Sequence, residues 1–332
     1  MKRSAAQIAI SFSAVFMLAC CAQQNGFPTR DLYLSQKTPG DSPELFAPGI
    51  VSTHHHEHSS PAFSPDGSEV YWSVFVNFLG PQVILYSKEE DGRWAPPEVA
   101  PFSGQYSDGQ PFLTRDGRKL FFESQRPINQ DSEIAGDIDL WVVERTAEGW
   151  GEPKHLGFPI NSDAWERGPT VSDHGNLYFS SMREGGFGQS DIYCSEWIDG
   201  AYSEPKNLGS NINTDDYETW PYIAPDERFI IFDSGPKGIV VSFLRKDGSW
   251  SEPIRTAERL QTKGSDDRFP MLSPDGRYFF FVSNRSIGNP YFEKPLNLGE
   301  IKEEAERPGN GFGDVYWLNA GFIEELKPEG LK

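Results

Sequence analysis

The stretch Ser59–Ser73, "SSPAFSPDGSEVYWS", decides the fold because four later stretches repeat its grammar. They are "DGQPFLTRDGRKLFFES" (Asp108–Ser124), "ERGPTVSDHGNLYFSS" (Glu166–Ser181), "ETWPYIAPDERFIIFDS" (Glu218–Ser234) and "DRFPMLSPDGRYFFFVS" (Asp267–Ser283). Their aligned prolines, Pro61, Pro111, Pro169, Pro221 and Pro270, stand 50, 58, 52 and 49 residues apart. A fixed period near fifty is the mark of a repeat architecture.

Each unit reads the same way. A short run after the proline forms a first strand. Ser-Pro-Asp-Gly then closes a tight turn, because proline presets φ and glycine takes the last position at little cost. A second, apolar strand follows, such as Lys119–Phe122 or Tyr278–Phe281, then a variable loop and a third strand ("QVILYSK", "DIDLWVVER", "DIYCSEW", "GIVVSFLRK", "DVYWLNA"). A hairpin ("EDGRW", "AEGW", "IDGAY", "KDGSW") leads to a fourth strand marked Glu-Pro or similar. Four antiparallel strands repeated radially predict an all-β fold, a single β-propeller. The units fall near 53–106, 107–164, 165–216, 217–265 and 266–328, so the prediction is five blades. The last unit lacks its fourth strand, and "SPELFAPGIVS" (Ser42–Ser52) carries the missing mark in Pro43-Glu44. An N-terminal strand closing the last blade would remove an exposed sheet edge.

The Pro-x-x-Ser-Pro-Asp-Gly turn, the Leu177–Ser180 strand, "GGFGQSDIY" (Gly185–Tyr193) and "SEPKNLG" (Ser203–Gly209) resemble the TolB-type, Pro-Asp-marked propeller repeats of bacterial envelope proteins. The resemblance spans nearly all of Thr29–Pro328. It implies a propeller and an envelope setting, and in that family the best-known members bind other envelope proteins. Related propellers precede serine peptidase domains, but this sequence has no Gly-x-Ser-x-Gly elbow, so peptidase activity is not carried over.

The N-terminus, "MKRSAAQIAISFSAVFMLACC", sets two cations before an apolar run that ends at cysteine. That pattern predicts a signal peptide over 1–20, resembling a lipobox with Cys20 (or Cys21) as the lipidated residue, followed by a linker over 21–30 and the propeller over 31–332. No aspartate follows either cysteine, which by the family's sorting rule implies the outer membrane, facing the periplasm or the cell surface. The third cysteine, Cys194, has no evident disulfide partner.

The formal charge of −19 becomes −21 once Lys2 and Arg3 leave with the signal. An acidic surface of that size repels nucleic acid and anionic lipid, so no nucleic-acid partner is expected and membrane contact is through the anchor alone.

Sequence register also suggests a site. Three residues before each marker proline stand His58, Asp108, Glu166, Glu218 and Asp267; Arg167 and Arg268 follow two of them. Arg126, Arg183 and Arg285 come just after second strands. In a propeller these positions surround one mouth of the central channel, predicting a mixed ring of acids and arginines. Such a ring either pairs internally to fix each blade or binds an envelope protein, a small polar or glycan ligand, or calcium, which wants six to eight oxygens. Catalysis would need two carboxylates in acid and base roles, for which Glu166, Glu218, Asp108 and Asp267 are the candidates in a glycoside hydrolase or polysaccharide lyase. His54, His56 and His58 can share one side of an extended segment and offer a metal site. The expectation from these features is a non-enzymatic binding scaffold, with a carbohydrate-active enzyme as the alternative.

Overall fold

The computed structural model describes residues 32–77, 80–128, 137–262, 264–287 and 294–331. Five antiparallel sheets are arranged as a five-bladed propeller. Blade 2 is representative. Its strands are Asp108–Leu113, Lys119–Ser124, Asp139–Thr146 and Lys154–His155, each paired with the one before it or, for the last, with the third. Blade 5 has Asp267–Leu272, Tyr278–Ser283 and Asp314–Asn319, and its fourth strand is Glu44–Leu45 from the N-terminal segment. Phe46 N donates to Val315 O (2.8 Å), and Ser52 Oγ both donates to Val315 O and accepts from Val315 N, so the closing segment is clasped along the whole strand.

The tight turns form as their residues demand. In every blade the last turn residue donates its N–H to the carbonyl three residues back, as in Gly67 to Ser64 and Gly117 to Thr114, both 2.8 Å. Those last residues have left-handed φ, at 68° and 69° in these two, which is why glycine recurs there. In blades 1, 2 and 5 the turn aspartate also accepts from the preceding Ser or Thr hydroxyl, as Asp66 does from Ser64 Oγ at 2.6 Å.

Alternation along the second and third strands sends successive side chains to opposite neighbours. Five hydrophobic clusters result, one between each adjacent pair of blades. Phe279 and Phe281 face blade 4 with Ile231 and Val241, whereas Phe280 faces blade 1 with Trp72, Phe46 and Trp317. Each of these rings is fully buried, and burial of such a side chain contributes roughly 1.5–3 kcal/mol. The recurrent aromatic of the third-to-fourth hairpin joins blades as well: Trp150 Nε1 donates to Tyr71 OH in blade 1 (3.0 Å).

The Pro-Asp turns define one end of the propeller, the turn face. The chain enters there, because the Leu32–Tyr33/Gln36–Lys37 hairpin lies beneath blade 5 with Tyr33 packed on Tyr278 and Trp317. The opposite loop face carries the connections into each first strand, and the segment after Ser283 that includes the helix Leu298–Glu306. No helix among the described residues is long and apolar enough to cross a membrane. The signal segment, Cys20 and Cys21 lie outside the described residues. Cys194 is a half-buried free thiol.

Candidate functional site

The four carboxylates expected to line the channel are instead sealed at the blade seams. Asp108, Glu166 and Glu218 are wholly buried and Asp267 nearly so. Each is held by a hydroxyl from the incoming loop and by the serine that ends the second strand or the arginine beyond it. Asp108 accepts from Ser103 Oγ, Ser124 Oγ and Arg126 Nη2 (2.7 Å). Glu166 accepts from Ser162 N, Ser162 Oγ, Ser181 Oγ and Arg183 Nη2. Asp267 takes Thr262 Oγ1, Ser265 Oγ and both oxygens' contacts from Arg285 Nη2 at 3.0 Å. Glu218 has no arginine and relies on Thr214 N, Thr214 Oγ1 and Ser234 Oγ, so burial holds its pKa above the ordinary value. Arg126, Arg183 and Arg285 are thus committed to these acids, and each also lies over aromatic rings of its blade. Buried and accepting three or four hydrogen bonds each, the acids are committed to the seams and do not face the channel.

His58 does not hold the fifth place in that set; Glu57 does. Glu57 pairs with Val74 across the sheet as Asp108 pairs with Ser124, and its N–H donates to Gly313 O as Glu166 N donates to Ile138 O. Blade 1 has one residue more between this acid and its marker proline, which displaced the count. Because Val74 and Val76 stand where other blades place serine and arginine, among the described residues the Glu57 carboxylate has only Thr53 as a partner, and its Oε2 is bonded to none of them. Burial and the nearby Asp314 push its pKa well up.

The channel itself is plugged. In four blades the first strand is bulged just before the marker proline, and the residue there has left-handed φ: Gln110 51°, Gly168 59°, Trp220 48° and Phe269 56°. Bulky side chains at such φ are strained. They point into the axis, where Trp220 packs on Phe269 (4.4 Å between ring centroids) and Phe269 on His58 (4.6 Å). Gln110 Nε2 donates to His58 O. A cavity of only about 20 Å³ is left at the proline level. Gly168 is required opposite Trp220, because a Cβ there would come within 2.8 Å of the Trp220 backbone.

Above the plug, on the loop face, the residue following each seam acid turns into the mouth. Arg167 and Arg268 come from first strands, and Glu123 and Asp233 from the second strands of the blades before them. Arg268 pairs with Asp266 (2.7 Å) and reaches Asp233 at 4.0 Å. Asp233 takes no hydrogen bond among the described residues, and burial pushes its pKa up to about 7. Glu123 Oε2 accepts from Gly168 N at 3.2 Å, and burial raises its pKa against the pull of Arg167. His58 bonds Gln82 Oε1 through Nδ1 (3.1 Å), and burial drives its pKa down to about 3, so it is neutral.

Arg167 differs from the other arginines. Its guanidinium lies over Trp165 (4.5 Å), but among the described residues no acceptor bonds it, and its Nε is buried without a partner. Beside it opens a cavity of about 210 Å³ lined by Trp165, Gln189, Tyr217, Thr219 and Trp220 among others. Thr219 Oγ1 and Trp220 Nε1 are likewise buried donors with nothing to bond. The turn face carries larger troughs of about 590 and 750 Å³, but Arg115, which lines both, pairs with Asp173 at 3.3 Å.

The histidines do not assemble a metal centre. His54 stacks on His55 (4.1 Å), His56 lies parallel to Phe312, and His58 is held in the plug, 5.9 Å from His56. Among the described residues no group of three or more His, Cys, Asp or Glu side chains comes together as a metal would need, which bears equally on calcium at the ring. Glu123, Asp233, Gln82, Trp165 and Tyr217 escaped the sequence reading. The visible signal was one acid interrupting an otherwise apolar second strand, in "LFFES" and "IIFDS".

No known family profile matches the chain, and no curated protein does. Among solved structures it is similar to TolB from Acinetobacter baumannii, at 15% identity and TM-score 0.46 over 80% of this chain and 57% of that one. It is also similar to the catalytic domain of the Coprinopsis cinerea GH62 α-L-arabinofuranosidase, at 10% identity and TM-score 0.46 over 80% of this chain and 97% of that one. The periplasmic gluconolactonase of Pseudomonas aeruginosa matches at 14% identity and TM-score 0.38, over 67% and 64% of the two chains. The chain thus spans little more than half the length of TolB.

Proposed function

We propose that the chain is a binding propeller of the bacterial envelope that takes a small anionic ligand at the loop-face mouth of its channel. One observation carries this reading. Arg167 is a half-buried guanidinium beside an open cavity with no acceptor among the described residues, whereas the arginines of the seams are neutralised by their acids. A guanidinium not already neutralised can exchange its water for an anion and gain a charge-assisted, bidentate contact. The signal-like N-terminus supports the envelope setting and a lipid on Cys20 or Cys21. An envelope protein presenting an acidic side chain would use the same anchor.

Thermal unfolding across a panel of organic anions tests the site. A ligand at a hundred times its Kd stabilises by about 2.7 kcal/mol, which raises Tm by roughly 4 °C in a protein of this size. Wild type is expected to show such a shift with at least one anion, and Arg167→Ala is expected to lose it. Equal shifts in both proteins, or none in either, would rule the site out.

The enzymatic alternative now rests on Glu123 and Asp233 rather than on Glu166 and Glu218. Asp233 supports it, as a carboxyl whose pKa burial pushes up to about 7, with no hydrogen bond among the described residues and Arg268 at 4.0 Å. Turnover of a glycan by wild type that Asp233→Asn abolishes would establish it.

A further inference from the structure

We infer that the cavity beside Arg167 takes a single-ring sugar acid, a hexuronate unit bearing one carboxylate and several hydroxyls. This rests on the mouth being the binding face, and it adds the chemical class.

Charge sets the first limit. Arg268 is already paired with Asp266, so one uncommitted guanidinium faces the site. A planar guanidinium matches one carboxylate through two parallel hydrogen bonds. A dianion such as phosphate would bring a second charge for which the cavity lining holds no second cation among the described residues. A cationic ligand would meet Arg167 itself.

The lining sets the second limit. Beyond Arg167 it offers neutral polar groups, namely Gln189, Tyr217 and Thr219, and no carboxylate. Gln189 and Tyr217 give that wall amide and hydroxyl groups that ring hydroxyls can pair with, whereas Thr219 Oγ1 and Trp220 Nε1 are buried behind it. A purely apolar acid would offer the polar wall nothing to bond.

Shape sets the third. Trp165 is 40% exposed and Met182 45% exposed, so a flat apolar wall stands open beside the polar one. A pyranose ring has that same duality, with C–H bonds on its faces and hydroxyls around its edge. A cavity of about 210 Å³ holds one such ring, not an extended chain.

The test is calorimetric titration of the whole protein with glucuronate and galacturonate, glucose and galactose, benzoate, glutamate and inorganic phosphate. Both wild type and the variants Arg167→Ala, Arg167→Lys and Trp165→Ala are used. Binding of a uronate is expected to exceed that of its neutral sugar by about tenfold or more, the worth of one charge-assisted bidentate contact. Arg167→Ala is expected to erase that difference, Arg167→Lys to restore part of it, and Trp165→Ala to weaken uronate and neutral sugar alike. The Arg167 side chain makes no hydrogen bond to a described residue but lies over Trp165 and near Glu123, so its variants are expected to unfold within about 1–2 kcal/mol of wild type, and a larger change would point to a structural role instead. Equal binding of neutral sugars, or tighter binding of benzoate, glutamate or phosphate through Arg167, would overturn the sugar-acid class and leave the binding face standing. No binding by any compound would overturn the class, and an anion shift absent from the thermal panel as well would remove the face with it.

Discussion

At the residue scale the molecule uses one motif for two ends. A carboxylate at the start of each first strand is sealed into a seam, and the residue after it is turned into the mouth. The seam acids are structural in a way that mutation can measure. Arg126 is 9% exposed and Asp108 fully enclosed, so Arg126→Ala leaves a buried, unneutralised carboxylate. Breaking such a pair costs roughly 3–5 kcal/mol. Urea unfolding of Arg126→Ala is expected to show that loss, and Asp108→Asn in the same background should recover part of it; a loss below about 1 kcal/mol would mean the pair is no clamp. Sequence showed these residues but not their direction. Counting back from the proline put His58 in line with Asp108, because the extra residue of blade 1 has no signature in composition. The left-handed residue before each proline likewise shifts which side chain meets the axis, and nothing in "GQP" or "TWP" announces it.

At the element scale, the five turns and the closing strand were legible because they depend on local chemistry: proline, aspartate and glycine at fixed offsets. The seam between blades 5 and 1 was not legible, since it depends on what is missing. There Glu57 and Asp314 are both fully buried, each with one oxygen bonded to nothing. Glu57 accepts from Thr53 and Asp314 from Gly309 N, and neither forms an ion pair among the described residues. Burial lifts Asp314 to about 7 and Glu57 well above its usual range, so both retain protons that the unfolded chain gives up near pH 4. Raised folded-state pKa values make their contribution complete below about pH 4 and lost as pH rises through about 7. Tm is therefore expected to fall over that interval. Asp314→Asn is expected to flatten the fall and to raise stability at pH 8, by up to about 4 kcal/mol for a shift of this size. A variant with the wild-type pH profile would show that the seam does not titrate.

For the whole molecule, the ring closes because the first described segment completes the last blade. Deleting the chain through Thr53 uncovers the edge of Asp314–Asn319 and removes Phe46 from its aromatic cluster. An exposed central strand seeks another edge. Light scattering after size exclusion is expected to find the shortened protein as oligomers or aggregate, and a monodisperse monomer with unchanged Tm would refute the role given to closure.

The hairpin at Leu32–Lys37 has a further consequence. It leaves the propeller through the turn face, beneath Tyr278 and Trp317, with the plug between it and the mouth. Residues 32–37 and the cavity beside Arg167 therefore lie at opposite ends of the propeller axis, so a label or linker joined at Leu32 starts on the face away from the mouth.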